Sequence, residues 1–186
     1  MDEDKRAVGV DRRLLFTGAT LGLATAARAQ APIPGGAPGL TLSFRVFVTL
    51  GPVVEQGVVD SLRNRFIPIT VGRIEGPELQ GEVLNGGGDW QSLREDGLTT
   101  LEAKYTLKAA DGGLIGVINP GVRRGPPAVM QRLAAGERVD PALYYFRCSP
   151  RFSAPAGKHR WLMENTFVGV GKRWPDSVEI EMWRVG

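Results

Sequence analysis

The sequence predicts an all-β fold, an antiparallel β-barrel of about eight to ten strands with one short helix. Three observations lead there. Apolar and polar residues alternate along successive segments, as strands with one buried and one wet face require. The 25 glycines and 13 prolines among 186 residues supply more turns than a helical bundle tolerates. The candidate strands follow one another without the helix-strand rhythm of a parallel sheet. A sandwich would share these features. The barrel is favoured because one long meander, ending in a strand at the C-terminus, closes naturally on itself.

Residues 1–29 read as a leader. Arg12-Arg13 precede Leu14, Leu15 and Phe16, a mild Ala/Gly/Thr-rich apolar run follows, and Ala27-Arg28-Ala29 fits a small-x-small cleavage site before Gln30. Paired arginines, weak hydrophobicity and a basic residue near the cut resemble a twin-arginine export signal. The apolar run is too short to span a bilayer. The expected location is therefore periplasmic or secreted, with folding completed before export and no membrane contact after signal removal. Residues 30–39, rich in Pro and Gly, read as a flexible tether. Residues 40–186 form the single predicted domain.

The strands are expected in this order. Leu42, Phe44, Val46, Val48 and Leu50 alternate with Ser43, Arg45 and Thr49 in the first. Residues 51–57 read as a turn. A strand over residues 64–76 contains Pro68, a sign of an edge or a bulge. Residues 77–84 form a short strand leading into Asn85-Gly86-Gly87-Gly88. The hairpin of residues 98–121 is the clearest element: Leu101, Ala103, Tyr105 and Leu107 oppose Glu102, Lys104, Thr106 and Lys108, and Asp111-Gly112-Gly113 supplies a tight turn. Pro127 opens a short helix with Val129, Met130 and Leu133 on its apolar face, and Gly136 stops it. Residues 142–149, 160–171 and 177–186 are read as the last strands.

Composition excludes several functions. A net charge of +3 with scattered basic residues is not a nucleic-acid surface. One cysteine, Cys148, and one histidine, His159, do not make a structural zinc site. No glycine-rich phosphate loop opens a helix, so a nucleotide cofactor is not expected, and no cofactor of any kind is assigned. Acid–base work is left to carboxylates, tyrosine, lysine or arginine.

Four blocks carry a family resemblance: residues 72–91 ("GRIEGPELQGEVLNGGGDWQ"), residues 96–121, residues 144–155 and residues 161–185. In collinear order they resemble the family called domain of unknown function 3237, or uncharacterised protein family 0311. The resemblance implies a compact antiparallel barrel of lipocalin or calycin type. It also implies a small organic molecule as partner, either merely bound or turned over by a cofactor-free isomerase or cyclase. The family's last block usually reads Trp-Leu-Asn. Here Met163 stands in place of that Asn, with Asn165 two positions on, so chemistry resting on that amide would be altered or lost.

The candidate catalytic residues are Asp89, Glu102, Tyr105 and Arg147; the candidate ligand-binding residues are Trp90, Tyr145, Trp161 and Asn165. Asp89 and Trp90 either cap a turn and plug the barrel or stand at a cavity mouth, where the indole would raise the carboxylate pKa. Glu102 and Tyr105 lie on opposite faces; Glu102 is either a solvated charge or a base in a polar lumen. Tyr105 reads as a core aromatic whose hydroxyl finds a partner. Tyr145 and Arg147 share a face and would hold an oxyanion if that face pointed inward; otherwise Arg147 pairs with a carboxylate. Trp161 and Asn165 would line the same space. Asn119 is expected in a turn, His159 exposed and idle, Cys148 a buried filler. Three functions remain open: an exported isomerase, cyclase or lyase using these groups, a non-catalytic binder of an apolar or aromatic metabolite, and a filled structural barrel. The sequence leaves the oligomeric state open, a homodimer being one option.

Overall fold

The computed structural model describes residues 36–186, so the expected leader and most of the tether lie outside the described residues. The elements are β1 (Leu40–Leu50), β2 (Val54–Val59), β3 (Leu62–Glu75), β4 (Gly81–Val83), β5 (Gly87–Leu93), β6 (Thr99–Ala109) and β7 (Leu114–Arg124). They continue with α1 (Pro127–Ala134), β8 (Tyr145–Cys148), β9 (Arg151–Ser153), α2 (Trp161–Glu164), β10 (Phe167–Arg173) and β11 (Ser177–Val185). β1, β3, β5, β6, β7, β8, β10 and β11 pair in that order, and β11 returns to β1, so the sheet is a closed antiparallel barrel of eight staves. Closure leaves these staves no free edge.

Two staves are built from two pieces. β4 and β5 share the position between β3 and β6: β4 pairs with Gly72–Ile74 and β5 with Arg63–Ile69. The chain steps from one to the other at Asn85-Gly86, where Gly86 has φ +106°, a conformation that glycine adopts without strain. β8 and β9 likewise divide the stave along β7. Pro68 sits in β3 beside a bulge against β1, where Val48 pairs with Gly72 and Leu50 with Ile69. That placement matches the bulge expected from sequence.

The inward side chains split the interior into two halves. In one, Phe44, Leu107, Ile115, Phe167 and Met182 pack without exposure beyond 2%, each contributing roughly 1.5–3 kcal/mol of burial. Aromatic contacts continue this half, Phe44–Phe152 at 6.0 Å, Phe152–Phe167 at 5.1 Å and Trp161–Phe167 at 5.8 Å, with Trp161 on α2. Over the other half lies α1, whose buried Met130 and Leu133 pack with Leu101, Tyr144 and Phe146.

Four expectations need correction. Of the turn expected over residues 51–57, residues 54–57 belong instead to β2, which extends β3 into an exposed arm; Glu55 and Arg63 pair across it at 2.7 Å. The strand expected over residues 160–171 begins only at Phe167, because residues 161–164 close a helical turn. Asn119 lies mid-strand in β7, inward and 1% exposed, because the chain continues extended through Pro120. His159 is 7% exposed; its Nε2 meets Asp111 Oδ1 at 2.9 Å and ties the β6–β7 turn to the segment before α2. The helix over residues 127–134 and the Asp111-Gly112-Gly113 turn agree with expectation.

Gly171 faces inward on β10, where an added Cβ would enter the Phe146 ring. Gly116 has room, its nearest neighbour being Ser153 Cβ at 3.6 Å. Gly171→Ala is therefore expected to lower unfolding free energy by about 1–3 kcal/mol, and Gly116→Ala by less than about 0.5 kcal/mol. Equal effects in urea denaturation would show that Phe146 is not locked against that glycine.

Candidate functional site

Strand alternation delivers charged side chains to the interior under α1. On β3, Arg65 shares its face with Ile67 and Ile69. On β7, Arg123 shares its face with Ile115, Val117 and Asn119, and on β10 Arg173 follows Phe167, Gly169 and Gly171. β5 brings Asp89 and Gln91 inward, since Asp89 pairs with Ile67 on one side and Ala103 on the other. Three guanidinium groups thus surround one carboxylate.

The hydrogen bonds are specific. Arg65 donates from Nε at 2.9 Å and Nη2 at 2.7 Å to Gln91 Oε1, and Gln91 Nε2 donates to Asp89 Oδ2. The amide of Gln91 therefore stands between the cation and the anion. Arg173 donates from Nη1 to the Ser177 carbonyl at 3.1 Å, and its backbone N–H donates to the Tyr144 hydroxyl at 2.8 Å. Among the described residues, Asp89 Oδ1, Arg123 Nε, both polar atoms of the Asn119 amide and the Tyr105 hydroxyl are buried with no hydrogen-bond partner. Leaving one such group unpaired costs about 1–3 kcal/mol, so several near one carboxylate are not accidental core polarity.

Burial dominates the titration behaviour. It raises Asp89 to about 6, against the opposing pull of the Gln91 hydrogen bond and of Arg123, Arg65 and Arg173. Burial, and then the neighbouring Arg65, push Arg123 down to about 10, which leaves it charged at neutral pH. Burial also raises Tyr105, so its hydroxyl stays protonated and can donate but not abstract. Cys148, between Asn119 and the core, is pushed up to about 12, which agrees with a filler and not a nucleophile. Arg65 and Arg123 also border a recess of about 160 Å³, lined further by Thr99, Glu95, Asp96, Gly97 and the Pro127, Met130 and Gln131 side of α1.

The sequence candidates do not converge. Asp89 and Tyr105 face the interior; Trp90, Glu102, Tyr145 and Arg147 face outward, because each differs from them by an odd number of strand positions or lies on the opposite parity of its own strand. Trp90 is thus separated from Asp89 by the barrel wall. Glu102 forms an exposed pair with Lys104 at 2.8 Å. Arg147 does not point into the barrel: Nη1 donates to the Phe146 carbonyl at 2.9 Å and its guanidinium lies 5.1 Å from the Tyr145 ring. These four line an open outer groove of about 900 Å³. Trp161 and Asn165 belong to α2 and its end, where Asn165 Nδ2 donates to the Trp161 carbonyl at 2.7 Å; a helical turn, not a strand face, brings them together. Met163 is exposed there, its sulfur accepting from the Ala154 N–H at 3.4 Å. The Tyr105 hydroxyl lies beside the Asn119 amide, outside strict hydrogen-bond geometry. Sequence reasoning overlooked Arg65, Gln91, Asn119, Arg123, Tyr144 and Arg173. The signal was present: each arginine sits in register with the apolar positions of its strand.

Among the described residues no group of three or more His, Cys, Asp or Glu side chains is placed to hold a metal ion.

Comparison with known proteins extends these observations. The family model described as "Protein of unknown function (DUF3237)" matches residues 38–185. The UPF0311 protein blr7842 of Bradyrhizobium diazoefficiens is 42% identical over 142 residues, which are 76% of this chain and 93% of that protein. The crystal structure of the conserved protein of unknown function RPA1785 from Rhodopseudomonas palustris superposes with a TM-score of 0.77 at 36% identity, covering 81% of this chain and 98% of that one. A beta-barrel-like protein from Acinetobacter baumannii AYE gives 0.72 at 34% identity over 84% of this chain and 100% of its own. An enzyme from Penicillium herquei shares the fold at a TM-score of 0.61 and 21% identity, over 85% and 99% of the two chains. The chain belongs to the DUF3237 family, whose curated relatives carry the name UPF0311 protein.

Proposed function

We propose that this protein is an exported barrel enzyme that moves a proton on a small organic molecule held in the chamber under α1, without a cofactor. The observation that carries this reading is Asp89. It is a carboxylate inside the barrel with one oxygen unpaired, raised to about 6 by burial, and surrounded by guanidinium groups. A general base works best when its pKa lies near the working pH. Above about pH 6 Asp89 is mainly ionised and can take a proton from a carbon beside a carbonyl. The C–H electron pair becomes the enolate, and its oxygen is received by Arg123 with Asn119 or Tyr105 donating. In a substrate with a β,γ double bond the enolate is a dienolate, and the same proton returns from the Asp89 carboxyl to its γ-carbon, which completes an isomerisation. Arg123 takes the oxyanion role that the sequence suggested for Arg147.

A second reading rests on the outer groove. Trp90 and Tyr145 are 44% and 41% exposed there, beside Arg147 and Glu102, and would hold an aromatic metabolite without turnover. The two readings separate by mutation. In heavy water, NMR is expected to show deuterium entering the α-carbon of at least one member of a panel of keto acids and phenolic ketones. Asp89→Asn should slow it by about 100-fold or more, with Trp90→Ala close to wild type. Exchange that survives Asp89→Asn, or that appears with no member of the panel, refutes proton transfer. Loss of ligand binding in Trp90→Ala alone would favour the groove.

The raised pKa has a stability consequence. The protonated form of Asp89 is the one the fold favours, so its contribution is complete below the unfolded value of 3.8 and is lost as pH rises through about 6. The difference corresponds to about 3 kcal/mol. Asp89→Asn cannot ionise. The wild type should therefore lose about 3 kcal/mol relative to this variant between about pH 4 and about pH 8, measured by urea denaturation. A pH-independent difference would place Asp89 in a solvated environment.

Export rests on Arg12-Arg13 and Ala27-Arg28-Ala29. In a bacterium with the twin-arginine pathway, the exported protein should begin at Gln30 by N-terminal sequencing. Replacing both arginines by lysine should retain the unprocessed chain in the cytoplasm.

A further inference from the structure

We infer that the chamber under α1 takes an organic carboxylate, whose anionic oxygens lie against Arg123 and Arg65. This rests on the reading of the chamber as the ligand site and names the class of ligand. Arg65, Arg123 and Arg173 come from β3, β7 and β10, and the one inward carboxylate at this level among the described residues is Asp89. None of the three guanidinium groups forms an ion pair with a carboxylate among the described residues. Arg65 is spent on the neutral oxygen of Gln91, Arg173 on a backbone carbonyl, and Arg123 Nε has no partner. Glu95 and Asp96 also border the recess, but both side chains are exposed to solvent and Asp96 pairs with Arg94 at 2.8 Å. Two further acids are committed elsewhere or lie outside. Glu55 is held by Arg63 through two hydrogen bonds of 3.0 and 2.7 Å, and Asp176, near Arg173, is exposed and accepts from Ser177 Oγ.

Taking a charge out of water costs several kcal/mol unless a counter-charge or a full set of hydrogen bonds replaces the water. Arg65 and Arg123 are 7% and 4% exposed, yet both border the recess between residues 95–97 and α1. A ligand entering there meets two guanidinium groups. A planar carboxylate matches guanidinium geometry and supplies the missing negative charge. Beyond it, the unpaired Asn119 amide and Tyr105 hydroxyl are available to neutral oxygens of the ligand. Leu93, Pro127, Met130 and Ala134 give the recess an apolar side, so the acid carries a hydrocarbon body. The asymmetry also orders the site: the carboxylate is held by cations at the mouth, and the carbon to be deprotonated lies deeper, toward Asp89.

Benzoate and its neutral counterpart benzyl alcohol test the inference by calorimetry on the mature protein at about pH 6. Benzoate is expected to bind at least about tenfold more tightly than benzyl alcohol. Arg123→Gln should weaken benzoate at least tenfold, whereas Asp89→Asn, which removes a repelling charge, should bind it as well or better. Benzoate binding that is absent, matched by benzyl alcohol, or insensitive to Arg123→Gln overturns the anion assignment. If Arg123→Gln does not fold, the Arg123 Nε–H resonance of the wild type decides: it should shift with benzoate and not with benzyl alcohol. Failure here is distinct from failure of the proton-transfer reading, which is judged by deuterium exchange and the Asp89→Asn comparison.

Discussion

A closed ring of strands offers each inward side chain a finite interior and no second choice of face. In an open sheet a charged residue on the wrong parity can reach solvent at an edge. Here Arg65, Arg123 and Arg173 cannot do so, because β3, β7 and β10 each have neighbours on both sides. Burial of Arg65 and Arg123, and half-burial of Arg173, are thus a direct consequence of closure, and so is the desolvation that raises Asp89. The acid and the cations restrain each other. Without the arginines the carboxylate would be pushed higher still, and without Asp89 the interior would carry three like charges with nothing between them.

This arrangement is destabilising by itself, and the rest of the barrel compensates for it. The opposite half is continuous hydrocarbon, from Phe44 and Met182 through Leu107 and Ile115 to the aromatic contacts beside α2. Its burial contribution tolerates a polar half with several unpaired groups. The division follows from sequence position: Ile67 and Arg65 are two residues apart on one strand, as are Val117 and Asn119 on another, so the boundary runs across the staves at the level of Asp89, Ala103 and Asn119. The apolar half fixes the strands, and the strands fix the direction of the charged side chains. A site held on rigid staves in this way loses little precision to loop motion.

Most of the barrel was legible because alternation is a local property. The β6–β7 hairpin declares itself through eight alternating residues and an Asp-Gly-Gly turn, and α1 through Pro127 and Gly136. β2 was not legible, since none of its residues is buried and its pairing with β3 leaves no period-two signal. The turn of α2 was hidden because Trp161, Leu162 and Met163 resemble the apolar start of β10; only the contact of the Asn165 side chain with the Trp161 carbonyl fixes the end of that turn. His159 was misjudged for a related reason. Its partner Asp111 lies 48 residues away, and nothing in the intervening sequence records the contact.

The candidate site was half legible, and the half that was missed follows a rule. Asp89, Tyr105, Glu102 and Arg147 were chosen by residue type, as acids, phenols and cations near motifs. Residue type does not report the face, and two of those four face solvent. Arg65, Asn119, Arg123 and Arg173 are polar residues that occupy the apolar parity of well-formed strands, a local conflict that costs stability. A chain that only needed to fold would place Leu or Val at these positions, as it does at Leu101 and Val117. Four such conflicts from three strands, meeting around one carboxylate, are therefore better evidence of a site than the exposed acids and aromatics of the outer groove. Solvated charges cost a barrel almost nothing wherever they occur, whereas buried unpaired ones persist only where a ligand, a proton or a counter-charge gives them a use.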